Sequence, residues 1–324
     1  MKRLVSVLVV CLFVLAAVGA QPVSETKTAQ PLEVQFAVMA GPTGFSSVAL
    51  AQNGGRLSDE LKVNLQVFPS PNEVIARLAN GELDFAALPS NLASILYNRG
   101  LNVKLAAVIG NGMLSVLSSD GSVRGVEDLL GKTVHVPGAG STPDQMSQLL
   151  LARAGMVAGT DVVLDYSIAA PAQLAQMVIA GKVELAMLPQ PFVSMILGKS
   201  AKAAEVLDVQ ALYHSLSGVE SYPMSVLVVS ESFLKNHPRA LATILSAYEE
   251  SVAWVNANPQ EAGNAIEKAG IMASAMATPA IPFCNLVFVP SSEAKDAVQA
   301  YYSFLHSFSP DAIGGKVPGD DLYL

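Results

Sequence analysis

Cysteine is scarce in this chain of 324 residues: Cys11 lies inside an apolar start and Cys284 stands alone far downstream. A disulfide framework is therefore excluded for everything after the start, and burial of apolar surface has to hold the fold together. Histidine is equally sparse. His135, His214, His237 and His306 stand at no spacing suited to a metal, and there is no Cys/His cluster. Neither a Gly-x-Ser-x-Gly elbow nor a Walker loop occurs, and Gly138-Ala139-Gly140 lacks the rest of either phosphate fingerprint. No cofactor is expected. Charged residues make up 14% of the chain, with 19 basic against 27 acidic and no basic run. That balance argues against nucleic acid and anionic membrane surfaces as partners.

The first twenty residues read as a cleavable secretory signal peptide. Lys2 and Arg3 open it, Leu4 to Val18 is apolar apart from Ser6, and Val18-Gly19-Ala20 is a small-residue cleavage site. Residues 21–31 read as a flexible leader. Beyond them no apolar run reaches the roughly 20 residues of a membrane span, so a soluble periplasmic or extracytoplasmic protein is expected. At 51% hydrophobic the chain is well supplied for a core, and its length suits two domains.

What the chain does have is an internal repeat. Residues 71–100 and 171–200 align without a gap: Pro71, Gly81, Ala86, Leu88, Pro89 and Ser94 recur as Pro171, Gly181, Ala186, Leu188, Pro189 and Ser194. Asp84 is answered by Glu184. Upstream, Ala40-Gly41-Pro42-Thr43 is answered by Ala139-Gly140-Ser141-Thr142. Short apolar strands alternate with amphipathic helices through both copies, which points to mostly parallel sheets covered on both faces. Two copies of one α/β unit imply two similar lobes with a cleft between them. The expected lobes are 32–117 plus 223–324, and 118–222, joined by chain crossings near Leu117 and Tyr222.

Four passages carry a family resemblance: GELDFAALPSNLASILYNRG (81–100), GAGSTPDQMSQLLLARAG (138–155), GKVELAMLPQPFVSMIL (181–197) and SPDAIGGKVPGDDLYL (309–324). In this order and spacing they resemble the extracytoplasmic substrate-binding proteins of ABC importers, in the group that binds nitrate, sulfonate, taurine and thiamine pyrimidine. The chain departs from that pattern at Gln190, where an acid is frequent. The resemblance implies a type II periplasmic-binding-protein fold, an α/β architecture of two lobes with a ligand cleft and a two-crossing hinge. It implies capture of a small organic solute or oxyanion by hinge closure, with an ABC permease and its ATPase as partners and a monomeric state. A sensor docking on a receptor, or an enzyme of the thiamine-pyrimidine type on the same fold, are the alternatives.

In such sheets ligands sit beyond the carboxyl ends of the strands, where helix amino-termini present free N–H groups. The candidate ligand residues are therefore Gly41, Pro42, Thr43 and Gly44 in the first turn, and Gly140, Ser141 and Thr142 in the second. Ser90, Asn91, Gln190 and Pro191 join them from the strand ends, with Tyr222 at the second crossing. Each also has a plain structural reading. The Gly-Pro-Thr-Gly run suits a tight turn, Ser and Thr suit helix caps, and a Tyr before Pro suits packing. Trp254 and the methionines at 146, 177, 187 and 195 read as core. These motifs carry no Arg or Lys, which favours a neutral, zwitterionic or weakly anionic solute, with Arg124 and Arg153 as the second-lobe candidates for an arginine reaching in from elsewhere.

Overall fold

The computed structural model describes residues 30–69 and 71–324; the expected signal peptide and most of the expected leader lie outside the described residues. Strand β1 (Leu32–Met39) places Val34, Phe36 and Val38 on one face and Ala37 on the other, the two-residue period of a strand buried on both sides. It runs parallel to β2 (Leu61–Phe68) and to β3 (Phe85–Pro89). A six-stranded sheet follows in the order β11-β4-β10-β3-β1-β2, with β4 at Val103–Asn111, β10 at Pro223–Ser230 and β11 at Leu286–Pro290. A second, five-stranded sheet has the order β7-β6-β8-β5-β9. Its strands are β5 (Leu114–Ser118), β6 (Thr133–His135), β7 (Val163–Asp165), β8 (Leu185–Pro189) and β9 (Ala204–Asp208).

The repeat is visible residue by residue. Pro71 and Pro171 open matching helices, α2 (Pro71–Ala79) and α5 (Pro171–Ile179), where a missing N–H costs nothing. Gly81 and Gly181 follow those helices with φ of 72° and 67°, the left-handed conformation that ends a helix. Ala86 and Ala186 then pair with the neighbouring parallel strand of their own sheets, against Ala37 and His135.

Two expectations need correction. The sheets are mixed rather than mostly parallel: four strand pairings are parallel and five antiparallel. The antiparallel ones involve β10 and β5, the strands entered directly from a crossing between sheets, together with β11. The first crossing also comes earlier than Leu117. β5 pairs with β8 and β9, so the chain changes sheets at Gly112 and Met113. Leu114 to Ser118 is buried throughout, so its apolar composition resembles β4 and hides the change. Asn285 ties this crossing down: its backbone carbonyl accepts from Asn111 N–H at 3.0 Å and its side-chain amide donates to Gly112 O at 2.7 Å. The second crossing ends at Tyr222, ahead of β10.

Three apolar clusters fill the layers. One face of the first sheet packs Phe36, stacked on Phe85 at 5.5 Å and on Tyr248 at 5.8 Å, under the long helix Pro238–Ala257. Trp254 packs against the same cluster. The opposite face shares one continuous cluster with the second sheet, including Met146 and Met187, while Leu174, Val178, Leu188, Met195 and Ile196 fill the far side of the second sheet. Among the described residues no helix is long and apolar enough to cross a membrane.

Candidate functional site

The carboxyl ends of β1 and β3 in the first sheet come together with those of β6 and β8 in the second. In the first turn Gly41 takes φ 115° and ψ −151°, a conformation essentially reserved for glycine, and Pro42 opens α1 (Pro42–Ser46). The Thr43 hydroxyl closes its own turn, donating to Met39 O at 3.2 Å and accepting from Met39 N–H at 3.1 Å. Gly44 is needed for packing, because a Cβ there would stand 2.8 Å from Ile271 Cγ2 and from Met39 O. Thr43 and Gly44 thus serve the turn itself.

The second turn is built differently. Gly138 and Gly140 have φ of 73° and 76°. Ser141 caps the helix α4 (Thr142–Arg153): its hydroxyl donates to Pro137 O at 2.8 Å and accepts from Asp144 N–H at 3.5 Å. Thr142, 3% exposed, reaches across to the other sheet and donates to Asn91 Oδ1 at 3.2 Å. That bond joins the two halves of the molecule between candidates that stand 51 residues apart in the chain. A second approach lies beside it, since a Cβ on Gly41 would stand 3.9 Å from Pro191 Cδ.

The remaining candidates are placed as follows. Ser90 is fully buried; it donates to Pro223 O at 2.5 Å, and its carbonyl accepts from Tyr302 OH at 2.7 Å. Asn91 follows it at the start of α3 (Ser90–Asn98), 1% exposed. Gln190 turns its Oε1 back onto Ser194, accepting from the hydroxyl at 2.8 Å and the N–H at 3.2 Å, while its own N–H donates to Met113 O at the crossing. Tyr222 is fully buried, stacked on Tyr301 at 5.6 Å and edge-on to Tyr213 at 5.1 Å. It lies in the aromatic packing at the crossing, not over an open cleft. Arg124 is exposed, and Arg153 stands at the far end of α4 with its guanidinium over Phe304.

Three participants escaped the sequence reading. Asp144, 4% exposed, accepts from Gly140 N–H at 2.6 Å, from Gln148 Nε2 at 2.7 Å and from Tyr166 OH at 2.7 Å. It locks the glycine turn onto α4, and burial, with Asp144 as the next cause, pushes the Tyr166 hydroxyl well above its ordinary pKa. The signal was present in Ser141-Thr142-Pro143-Asp144, a Ser-x-x-acid capping pattern. Gln145 lies three residues beyond Thr142 on the same helix face, 9% exposed, and its Oε1 has no partner. The Nδ2 of Asn91 has none either. Met276, on the helix Ser274–Ala280 of the first half, packs against the cluster of the second sheet; nothing local in sequence announces that.

This architecture of two sheets, with strand ends and helix starts meeting between them, is that of the ligand-binding proteins of ABC import systems. A crystal structure of an ABC transporter protein from Parabacteroides distasonis is 26% identical, covering 90% of this chain and 98% of that one with a TM-score of 0.77. The periplasmic aliphatic sulphonate binding protein of Escherichia coli is 16% identical over 89% of this chain and 95% of its own, TM-score 0.72. The periplasmic nitrate-binding protein of Synechocystis is 15% identical over 90% and 84%, TM-score 0.62. No curated protein sequence matches the chain. The model of the NMT1/THI5-like family matches residues 43–262, and the chain belongs to that family.

Proposed function

We infer that this chain is the extracytoplasmic solute-binding component of an ABC importer, capturing a small solute between its two halves and presenting the closed form to a permease with its ATPase. The observation that carries the reading is the Asn91–Thr142 hydrogen bond, which closes the molecule at the strand ends where α/β sheets bind ligands. Around that bond Gly41, Pro42, Asn91, Gly140, Thr142 and Pro191 form the solute site. Ser90, Ser141 and Gln190 hold its walls. Closure turns about the two crossings, at Gly112–Met113 and at Tyr222, giving lobes of about 32–112 plus 223–324 and 113–222. Solute adds contacts that exist only in the closed form, and so shifts the population toward it.

The relatives named as binding proteins support a binder rather than a catalyst. The protein acts as a monomer, exported by its first twenty residues. Native mass spectrometry of protein purified gently from the periplasm tests the capture. A defined small mass that leaves on unfolding is the expected result. A uniformly solute-free protein that gains no mass from a periplasmic extract would overturn the reading.

A further inference from the structure

An anion-binding turn works by leaving backbone N–H groups free at a helix amino-terminus. In the second turn most of these groups are already committed, Thr142 N–H being the exception among the described residues. Gly140 N–H donates to the Asp144 carboxylate, Ser141 N–H to Gly138 O at 3.2 Å, and Asp144 N–H to the Ser141 hydroxyl, while Pro143 has no N–H. The positive end of α4 is therefore occupied by a carboxylate of the chain itself. Its two oxygens accept from three donors, Gly140 N–H, Gln148 Nε2 and Tyr166 OH. Asp144 is also the sole carboxyl side chain among the buried residues described; no Lys, Arg or His is buried with it. A bound anion would meet a negative charge in a poorly screened site with no cation to offset it.

What the site does leave open is a donor and an acceptor. Asn91 gives its Oδ1 to the Thr142 hydroxyl, so its Nδ2 is left without a partner among the described residues. Gln145, on the same face of α4 as Thr142, leaves Oε1 unpaired. Both side chains are at least nine-tenths buried. Buried polar groups without partners are costly, and they are also how a site selects a ligand that can satisfy them. One group comes from each half, so a ligand that pairs with both also holds the closed form together.

Resting on the solute-capture reading above, we propose that the cleft takes an uncharged solute with an amide, urea or lactam edge, and rejects sulfonate, nitrate and carboxylate anions. A planar edge carrying adjacent N–H and C=O groups supplies one donor and one acceptor, the complement of Gln145 and Asn91. Asp144 supplies the rejection.

The test compares matched probes on the full mature chain, by equilibrium dialysis and thermal shift: nicotinamide against nicotinate, and propionamide against propionate, ethanesulfonate and nitrate. The amides should bind at least tenfold tighter than the anions. Asp144→Asn should narrow that gap by improving anion binding, and Asn91→Ala or Gln145→Ala should remove the amide preference. Wild-type protein that binds nicotinate, ethanesulfonate or nitrate as well as the amides, or better, overturns the inference and leaves solute capture standing. If none of these probes binds, the solute retained from a periplasmic extract decides: an uncharged amide-type molecule supports the inference, and a charged one overturns it. No retained solute at all removes the capture reading itself.

Discussion

Replacing Tyr222 by Phe should make this protein more stable, against the usual direction of such a change. The ring is fully buried, packed between Tyr301 and Tyr213 and against Gly112, where a Cβ would overlap it. Its hydroxyl has no hydrogen-bond partner among the described residues. Burial, with the neighbouring Tyr301, Asp208 and Tyr213, raises its pKa far above the ordinary phenol, so the hydroxyl stays neutral at any working pH. An unpaired buried hydroxyl costs about 1–3 kcal/mol in lost hydration. The phenylalanine ring keeps the stacking and leaves a void of one oxygen, roughly 0.2 kcal/mol for ~10 Å³. The net gain is about 1 kcal/mol or more, and each kcal/mol raises Tm by about 2–4 °C in a chain of this size. Tyr302→Phe is the matched control. Its hydroxyl donates to Ser90 O at 2.7 Å, so removing it should destabilise by about 1–3 kcal/mol through the buried carbonyl left behind. Urea unfolding of the two variants reads the opposite signs directly. A Tyr222→Phe protein destabilised by 1 kcal/mol or more would refute the reasoning. So would unchanged stability with weakened solute retention, which would make the hydroxyl a ligand donor.

Gly41→Ala should cost about 1–3 kcal/mol in chemical denaturation, because its φ of 115° with ψ of −151° is strained for any residue with a Cβ; a loss under about 0.5 kcal/mol would contradict this. Gly140→Val should cost about 1–3 kcal/mol, because a φ of 76° is strained for a β-branched residue although its Cβ would enter open space, and should weaken solute retention at least tenfold in native mass spectrometry of the folded protein. Unchanged retention would move the site elsewhere. Phe36→Ala, which removes the ring stacked between Phe85 and Tyr248, should cost about 3–5 kcal/mol in urea unfolding. The Asp120 carboxyl is held at about 2, first by the Ser122 N–H and then by the Ser122 and Ser118 hydroxyls. A folded pKa below the unfolded one means that its contribution is present above about 3.8 and is lost as pH falls through about 2. An NMR titration of Asp120 with a midpoint near 3.8 would contradict that.

The architecture was legible because duplication prints each structural device twice. Pro71 with Pro171, Gly81 with Gly181 and Pro89 with Pro189 mark helix start, helix end and strand end in both halves. The crossing was misplaced at Leu117 because β5 is buried on both faces and reads as a continuation of β4. The candidate site was legible as loops and not as roles. Thr43, Ser90 and Gln190 look from sequence like free polar side chains, yet each is committed to a local or structural partner that only folding brings near. Asn91 and Thr142 are as plain in sequence as those three, and the bond between them depends on how two sheets close. Asp144 was hidden by appearing as an ordinary first-turn acid, which says nothing of its burial or of the Gly140 N–H it captures.

The central claim is that one solute engages both halves at once. Hydrogen–deuterium exchange on the mature chain, with and without the solute identified by native mass spectrometry, tests it most directly. The account predicts that segments 40–46, 89–92, 138–146 and 189–194 gain protection together, while the outer helix Pro238–Ala257 is unchanged. Protection confined to the segments of one sheet, or spread over the whole chain without preference for these four, would contradict it.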